Sequence, residues 1–415
     1  MCMSRCLAIA NIPARHVDER VVMDASPVAG RWRLLALIIA VTLSVAAVGG
    51  WLSLTYSAAG AGYWPGYTEM MSSLPSPLAR LRWVMGDISE VAFYKHEFAS
   101  LGLLLGGALG YWASRYATSV AGFSISYGTG LWPWLVTSSL LGLLLSNALW
   151  GWTLTAGTWQ PTFAAFVALP AAMVLLFGRG WKITLNGAIL GALLVTPSCL
   201  LIVNYVCLPL GLPVVLGNVL GMAMGSVVAF GVCRALPILV SCAPKQTATD
   251  PAPTPAKTPD YGMIWTLRRV LADFSEAPFY GNEWASLGLL SGVLLAYALN
   301  PLSPAYGSGL LLYIIAAQAL ASLTGVLVWR RQWQQRGWYP TYVPLVSVVP
   351  AAVLTYGDSV SVMIGSALLG ALIAPPLACG IAQRLPNYMH PYIGNVLSMA
   401  ISTLLIVPAG VLVAD

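Results

Sequence analysis

Charge is what this chain has least of: Asp, Glu, Lys and Arg make up only 8% of its 415 residues, against roughly 25% in a soluble domain. A soluble globular protein is thereby excluded. The 58% apolar content and mean hydropathy of +0.77 point to a multi-spanning helical membrane protein. Histidine is scarcer still, at three residues. His96 beside Lys95 reads as an outer loop residue and His390 before Pro391 as a cytoplasmic one, neither with a partner at ligand spacing. The seven cysteines, at 2, 6, 199, 207, 233, 242 and 379, lie in or beside apolar runs without metal-ligand spacing, so neither a metal site nor a disulfide framework is expected. No phosphate loop, His-Glu-x-x-His pair or nucleophile elbow is present. An ATP-driven motor is thus excluded, an enzyme has no catalytic constellation to rest on, and no cofactor is expected. The net charge of +6 is scattered over short loops, which argues against nucleic acid as a partner.

What the chain does have is long apolar runs. Continuous stretches such as Leu34 to Leu54 and Leu131 to Trp152 approach the ~20 residues a helix needs to cross a bilayer, unlike the short alternating segments of a barrel. Arg5, Arg15, Arg20, Arg31 and Arg33 precede the first run, so it reads as an uncleaved span. Spans are expected near 34–54, 94–114, 131–152, 161–177, 183–206, 212–234, 284–300, 309–329, 341–357, 362–382 and 392–412, about eleven in all. A cytoplasmic N-terminus leaves only Arg80, Arg82 and Lys95 of the twenty basic residues outside, a strong positive-inside bias. The expected localisation is a bacterial inner membrane, with the C-terminus external.

The chain is also written twice. Asp87, Glu90, Phe93, Tyr94, Glu97, Ala99, Ser100, Leu101 and Gly102 recur as Asp273, Glu276, Phe279, Tyr280, Glu283, Ala285, Ser286, Leu287 and Gly288, always 186 residues apart. Trp159, Pro161, Thr162 and Phe163 match Trp338, Pro340, Thr341 and Tyr342, and Gly217, Asn218 and Met222 match Gly394, Asn395 and Met399. Five spans per copy, an odd number, would force the copies into opposite orientations. The expected fold is an all-α integral membrane protein: a cytoplasmic segment 1–33, an unpaired helix 34–54, and an inverted five-plus-five repeat formed by 80–240 and 263–415. The Pro-, Thr- and Ala-rich stretch 241–262 reads as a cytoplasmic linker.

Duplicated polar residues within apolar surroundings are the candidate site. Glu97 and Glu283 are either carboxylates on a solute or proton path, since charge at membrane depth is costly, or first-turn carboxylates favoured by the helix dipole. Glu90 and Glu276 are similar but expected nearer water, and Asp87 and Asp273 read as helix-start residues. Phe93, Tyr94, Phe279 and Tyr280 fit either a constriction or an interfacial aromatic belt. Asn218 and Asn395 can bind a neutral polar solute or a neighbouring helix. The matched prolines, among them Pro161, Pro170, Pro197, Pro340, Pro350 and Pro376, suggest discontinuous helices around a cavity. No lysine or arginine is expected at membrane depth, which disfavours an anionic solute.

The opening of each copy, Leu81-Arg82 through Glu90, Phe93 and Ala99-Ser100-Leu101-Gly102, and again Leu267-Arg268 through Glu276, Phe279, Asn282 and Ala285-Ser286-Leu287-Gly288, resembles the repeat opening of the urea transporters. Ile364 to Leu372, followed by Leu385-Pro386, is similar to that family's second-half helix and turn. The resemblance implies two five-span repeats in opposite orientation and a channel-like path for urea or another small neutral amide. The chain departs from the family where Glu90 and Glu276 replace a neutral amide, in lacking an intact Asn-Pro-x-Ser-Gly motif, in carrying Gly-Asn in the final helix, and in the extra N-terminal span. The rivals are a proton- or ion-coupled carrier using Glu97 and Glu283, a non-transporting membrane subunit or scaffold, and a membrane enzyme. Self-association is left open.

Overall fold

The computed structural model describes residues 63–116, 122–240 and 261–412. The expected segment 1–33, the helix 34–54 and nearly all of the linker 241–262 lie outside the described residues. Every regular element among the described residues is helical. In the first copy these are α1 (Tyr67–Ser72), α2 (Pro77–Glu90), α3 (Glu97–Arg115), α4 (Trp132–Trp150), α5 (Ala164–Val167), α6 (Leu169–Phe177), α7 (Trp181–Leu190), α8 (Thr196–Ile202) and α9 (Val214–Ala235). The second copy has α10 (Met263–Asp273), α11 (Glu283–Leu299), α12 (Leu311–Val328), α13 (Arg330–Arg336), α14 (Val348–Tyr356), α15 (Val360–Ala382) and α16 (Tyr392–Ala409). Among the described residues six stretches are long and apolar enough to cross a bilayer: Trp132–Thr153, Trp181–Cys207, Val214–Ala235, Leu311–Val328, Val360–Ala382 and Tyr392–Leu412. The chain is an all-α membrane protein. Its outward leucines, such as Leu101, Leu105 and Leu109 on α3, are exposed along one helix face as lipid contact requires.

Two expected spans are short instead. Residues 161–177 fold as α5 and α6, separated at Ala168 (φ −109°, ψ −109°) just before Pro170. Residues 341–357 fold as a 3₁₀ turn, Pro344–Val346, and α14, separated at Ser347 (φ −147°, ψ −95°). The nine residues of α6 and of α14 rise about 13 Å at 1.5 Å each, under half of a ~30 Å hydrocarbon core. Pro197 follows a π-helical turn, Gly191–Val195, because its ring clashes with a carbonyl one turn back and it has no N–H to give. Pro375 and Pro376, by contrast, sit inside the continuous helix α15. The break expected at Pro376 is absent.

The helices α3 and α11 approach closely enough for their main chains to touch. A β-carbon on Gly102 would overlap the backbone carbonyl of Gly288, and one on Gly288 would overlap that of Gly102. Likewise Gly106 faces the Trp284 carbonyl and Gly292 the Phe98 carbonyl. As the residue number rises along α3 it falls along α11, so the two helices cross antiparallel. The spacing of four residues from Gly102 to Gly106 and from Gly288 to Gly292 puts these glycines on one helix face, allowing backbones to touch.

Candidate functional site

Each repeat opening is a helix, a tight turn and a second helix, stapled by serines. Ser89 Oγ accepts from the His96 N–H at 3.0 Å and donates to a carbonyl, while Ser275 Oγ accepts from the Asn282 N–H at 3.2 Å. The next helices are capped by His96 Nδ1 on the Phe98 N–H and by Asn282 Oδ1 on the Trp284 N–H. Between them Phe93 and Phe279 adopt left-handed φ values of +67° and +64°, a conformation that costs a bulky residue roughly 1–3 kcal/mol and concentrates at functional sites. Each turn is also clasped by the other copy: the Ala305 N–H donates to the Tyr94 carbonyl at 2.9 Å and the Ser126 N–H to the Tyr280 carbonyl at 3.0 Å.

Beneath each turn lies a buried cluster of two carboxylates and one cation. Lys95 Nζ binds Asp87 and donates to Glu90 Oε2 at 2.6 Å. Arg269 donates to Asp273 Oδ1 at 2.7 Å and to Glu276 Oε2 at 2.6 Å. The remaining oxygens are met in parallel ways: Trp159 Nε1 donates to Glu90 at 2.5 Å and Trp338 Nε1 to Glu276 at 2.8 Å, while Thr162 and Thr341 donate to Asp87 and Asp273 at 2.7 and 2.9 Å. Asn147 of α4 and Ser322 of α12 complete the aspartates. The cation, however, comes from different places. Lys95 is in the turn and stands 3.5 Å over the Trp83 ring; Arg269 is on α10, at the position 186 residues after Trp83, and Gly281 stands where Lys95 would recur.

These clusters overturn several expectations. Asp87 and Asp273 end helices instead of starting them. Lys95 and His96 lie in the turn between α2 and α3 but are buried there instead of exposed on a loop, and Arg269 is 4% exposed inside the protein. Basic groups therefore do lie deep in the molecule, but both are consumed by carboxylates.

A cavity of about 570 Å³ lies between the two copies. Matched residues face it from both: Phe93 with Phe279, Phe163 with Tyr342, Val219 with Val396, and Met222 with Met399. Glu90 lines it together with Trp159, Tyr67 and Tyr306, whereas Glu276 and Trp338 do not. The cavity thus reaches one cluster and not the other. The asparagines differ in the same sense. Asn395 Nδ2 donates to the Tyr342 hydroxyl at 2.9 Å. Asn218, which lines the cavity, has no such hydroxyl opposite, because Phe163 stands in that place, and its Oδ1 is buried without a partner.

The chain matches no protein-family model, no curated protein and no solved structure. What can be said of the site therefore rests on its own residues. Of those singled out from sequence, Glu90, Phe93, Asn218 and Phe279 meet at the cavity. Tyr94 and Tyr280 are fully packed behind it, the former donating to Gln318 Oε1 at 2.8 Å. Glu97 and Glu283 are first-turn carboxylates away from the cavity, held by Arg82 at 2.7 Å and Arg268 at 2.8 Å. Neither Pro197 nor Pro376 lines it. Sequence reasoning missed Tyr67, Tyr306 and Tyr392, while Trp159, Tyr342, Met222 and Met399 were visible as matched residues without an assigned role. Among the described residues no group of three or more His, Cys, Asp and Glu is arranged to hold a metal ion.

Proposed function

We propose that the protein is a membrane transport protein that moves a small organic solute through the cavity between two inverted copies. The observation that carries this reading is Asn218, which lines that cavity while its buried Oδ1 has no partner. A buried polar atom left unmade costs about 1–3 kcal/mol, a cost that a bound solute donating to it removes. The antiparallel crossing of α3 and α11 supports inverted copies without depending on the count of eleven spans. Among the described residues none of those lining the cavity is lysine, arginine or histidine, which supports the exclusion of anionic solutes. The urea-like solute implied by the family resemblance suits an amide at the wall. Yet a mainly aliphatic and aromatic cavity of this volume is of the size that holds organic ligands, which favours a solute with an apolar body. A coupled carrier is the second reading, favoured by a carboxylate, Glu90, on the cavity wall; Glu97 and Glu283 are engaged by arginines elsewhere.

The test is uptake of a panel of small solutes into proteoliposomes, with and without a pH gradient. Asn218→Leu should slow the transported solute roughly tenfold, in line with ~1–3 kcal/mol for one hydrogen bond. Unchanged uptake in that variant, or no uptake of any solute by the wild type, would refute the reading. Accumulation driven by the pH gradient would replace the facilitator with the coupled carrier.

A further inference from the structure

The cavity wall carries a carboxyl cluster and, among the described residues, no basic side chain. Asp87 and Glu90 share the single ammonium of Lys95, two carboxyls to one cation, and Glu90 brings that cluster to the cavity wall. Burial pushes the Glu90 carboxyl up to about 8, and a cation beside it would favour its ionised form. Asn218 lines the same cavity, its Oδ1 without a partner. Aromatic rings of Phe93, Phe279, Tyr306 and Trp159 surround the same space, and ring faces attract cations. Trp159 Nε1 and the Tyr306 hydroxyl, the donors that point toward this end, are already spent on Glu90 Oε1 at 2.5 and 3.3 Å. The Tyr67 hydroxyl is buried without a partner and can serve as donor or acceptor. Asn218 and Tyr342 also bring an amide N–H and a hydroxyl to the lining, so it is the extra carboxyl and the ring faces, and not a lack of donors, that favour a cation over a neutral amide.

We propose that the cavity binds an organic cation, an ammonium or guanidinium group on an apolar body, with Glu90 facing the charge and Asn218 Oδ1 accepting from the solute's N–H or O–H. This rests on the reading of the cavity as the solute site, but its test is of binding and not of transport. Equilibrium dialysis on the detergent-purified full-length protein compares two isosteric pairs that differ in charge: guanidinium with urea, and choline with 3,3-dimethylbutan-1-ol. At least one cation should bind ten times or more tightly than its neutral partner. Glu90→Gln should remove that preference, and Asn218→Leu, which leaves the charge cluster intact, should weaken the cation severalfold. Binding in which neither cation exceeds its neutral partner overturns the proposal even if proteoliposomes transport solute. A cation preference without flux leaves the proposal standing and overturns the transport reading instead.

Discussion

The exchange of the buried cation between two backbone positions can be tested by transplanting one arrangement into the other. In the first copy Trp83 and Lys95 form the pair; in the second, Arg269 and Gly281 occupy the matching positions. Arg269→Trp alone leaves Asp273 and Glu276, 1% and 2% exposed, without their cation, and should cost about 3–5 kcal/mol, as for other buried charges stripped of a partner. Gly281→Lys alone crowds a side chain onto Glu276 beside a guanidinium already in place, at a φ of +55°; it too should destabilise, by about 1–3 kcal/mol. The double variant rebuilds the first copy's geometry, in which Lys95 tolerates a φ of +44° and stands over the Trp83 ring. It should recover part of the loss, giving a coupling of about 0.5–3 kcal/mol where independent sites would give nearly none. Unfolding of the purified protein in mixed micelles, followed by tryptophan fluorescence, measures all four corners of the cycle. A double variant as unstable as the two single losses added together would refute the claim that the two positions are alternative seats for one charge.

Gly102→Ala should loosen the crossing of α3 and α11, since its methyl would overlap the Gly288 carbonyl, and lower stability by about 1–3 kcal/mol in the same assay; an unchanged unfolding midpoint would show that the helices part without cost. Tyr392→Phe leaves Ser226 Oγ buried without its hydroxyl partner and should cost about 1–3 kcal/mol. A cysteine at exposed Ser73 should be labelled by an impermeant thiol reagent from outside and one at exposed Arg331 from the cytoplasmic side, above the native-cysteine background. Labelling of both from one side would remove the expected orientation.

The long helices were legible in the sequence because lipid demands continuous apolar residues, and α4, α9, α12, α15 and α16 begin and end within two or three residues of the expected spans. The breaks at Ala168 and Ser347 were signalled only loosely by the prolines that follow, because a proline restricts its neighbour without dictating where a helix stops. The repeated Asp-x-x-Glu spacing revealed that these acids matter but not which cation meets them. That depends on a turn folding back so that Lys95 returns to Asp87, a three-dimensional fact with no periodic signature. Tyr306 was unreadable for a related reason: it serves Glu90 from 216 residues away, across the boundary between the copies. The asymmetry of the cavity was written in plain view, as Phe163 against Tyr342, yet it acquires meaning only when Asn395 is found bonded to the hydroxyl that Asn218 lacks.

The contact between α3 and α11 has a mechanical side. Helices that pack through side chains lock ridges into grooves and settle at a few angles. Here main chain meets main chain at Gly102 and Gly288, and again at Gly106 with Trp284 and at Gly292 with Phe98, so the contact runs over about two turns and fixes the angle as well as the place. Because the helices run antiparallel, the stapled turn preceding Glu97 and the one preceding Glu283 sit at opposite ends of the pair. The pair is a spacer: with main chain on main chain along the contact, it sets how far apart the two turns lie.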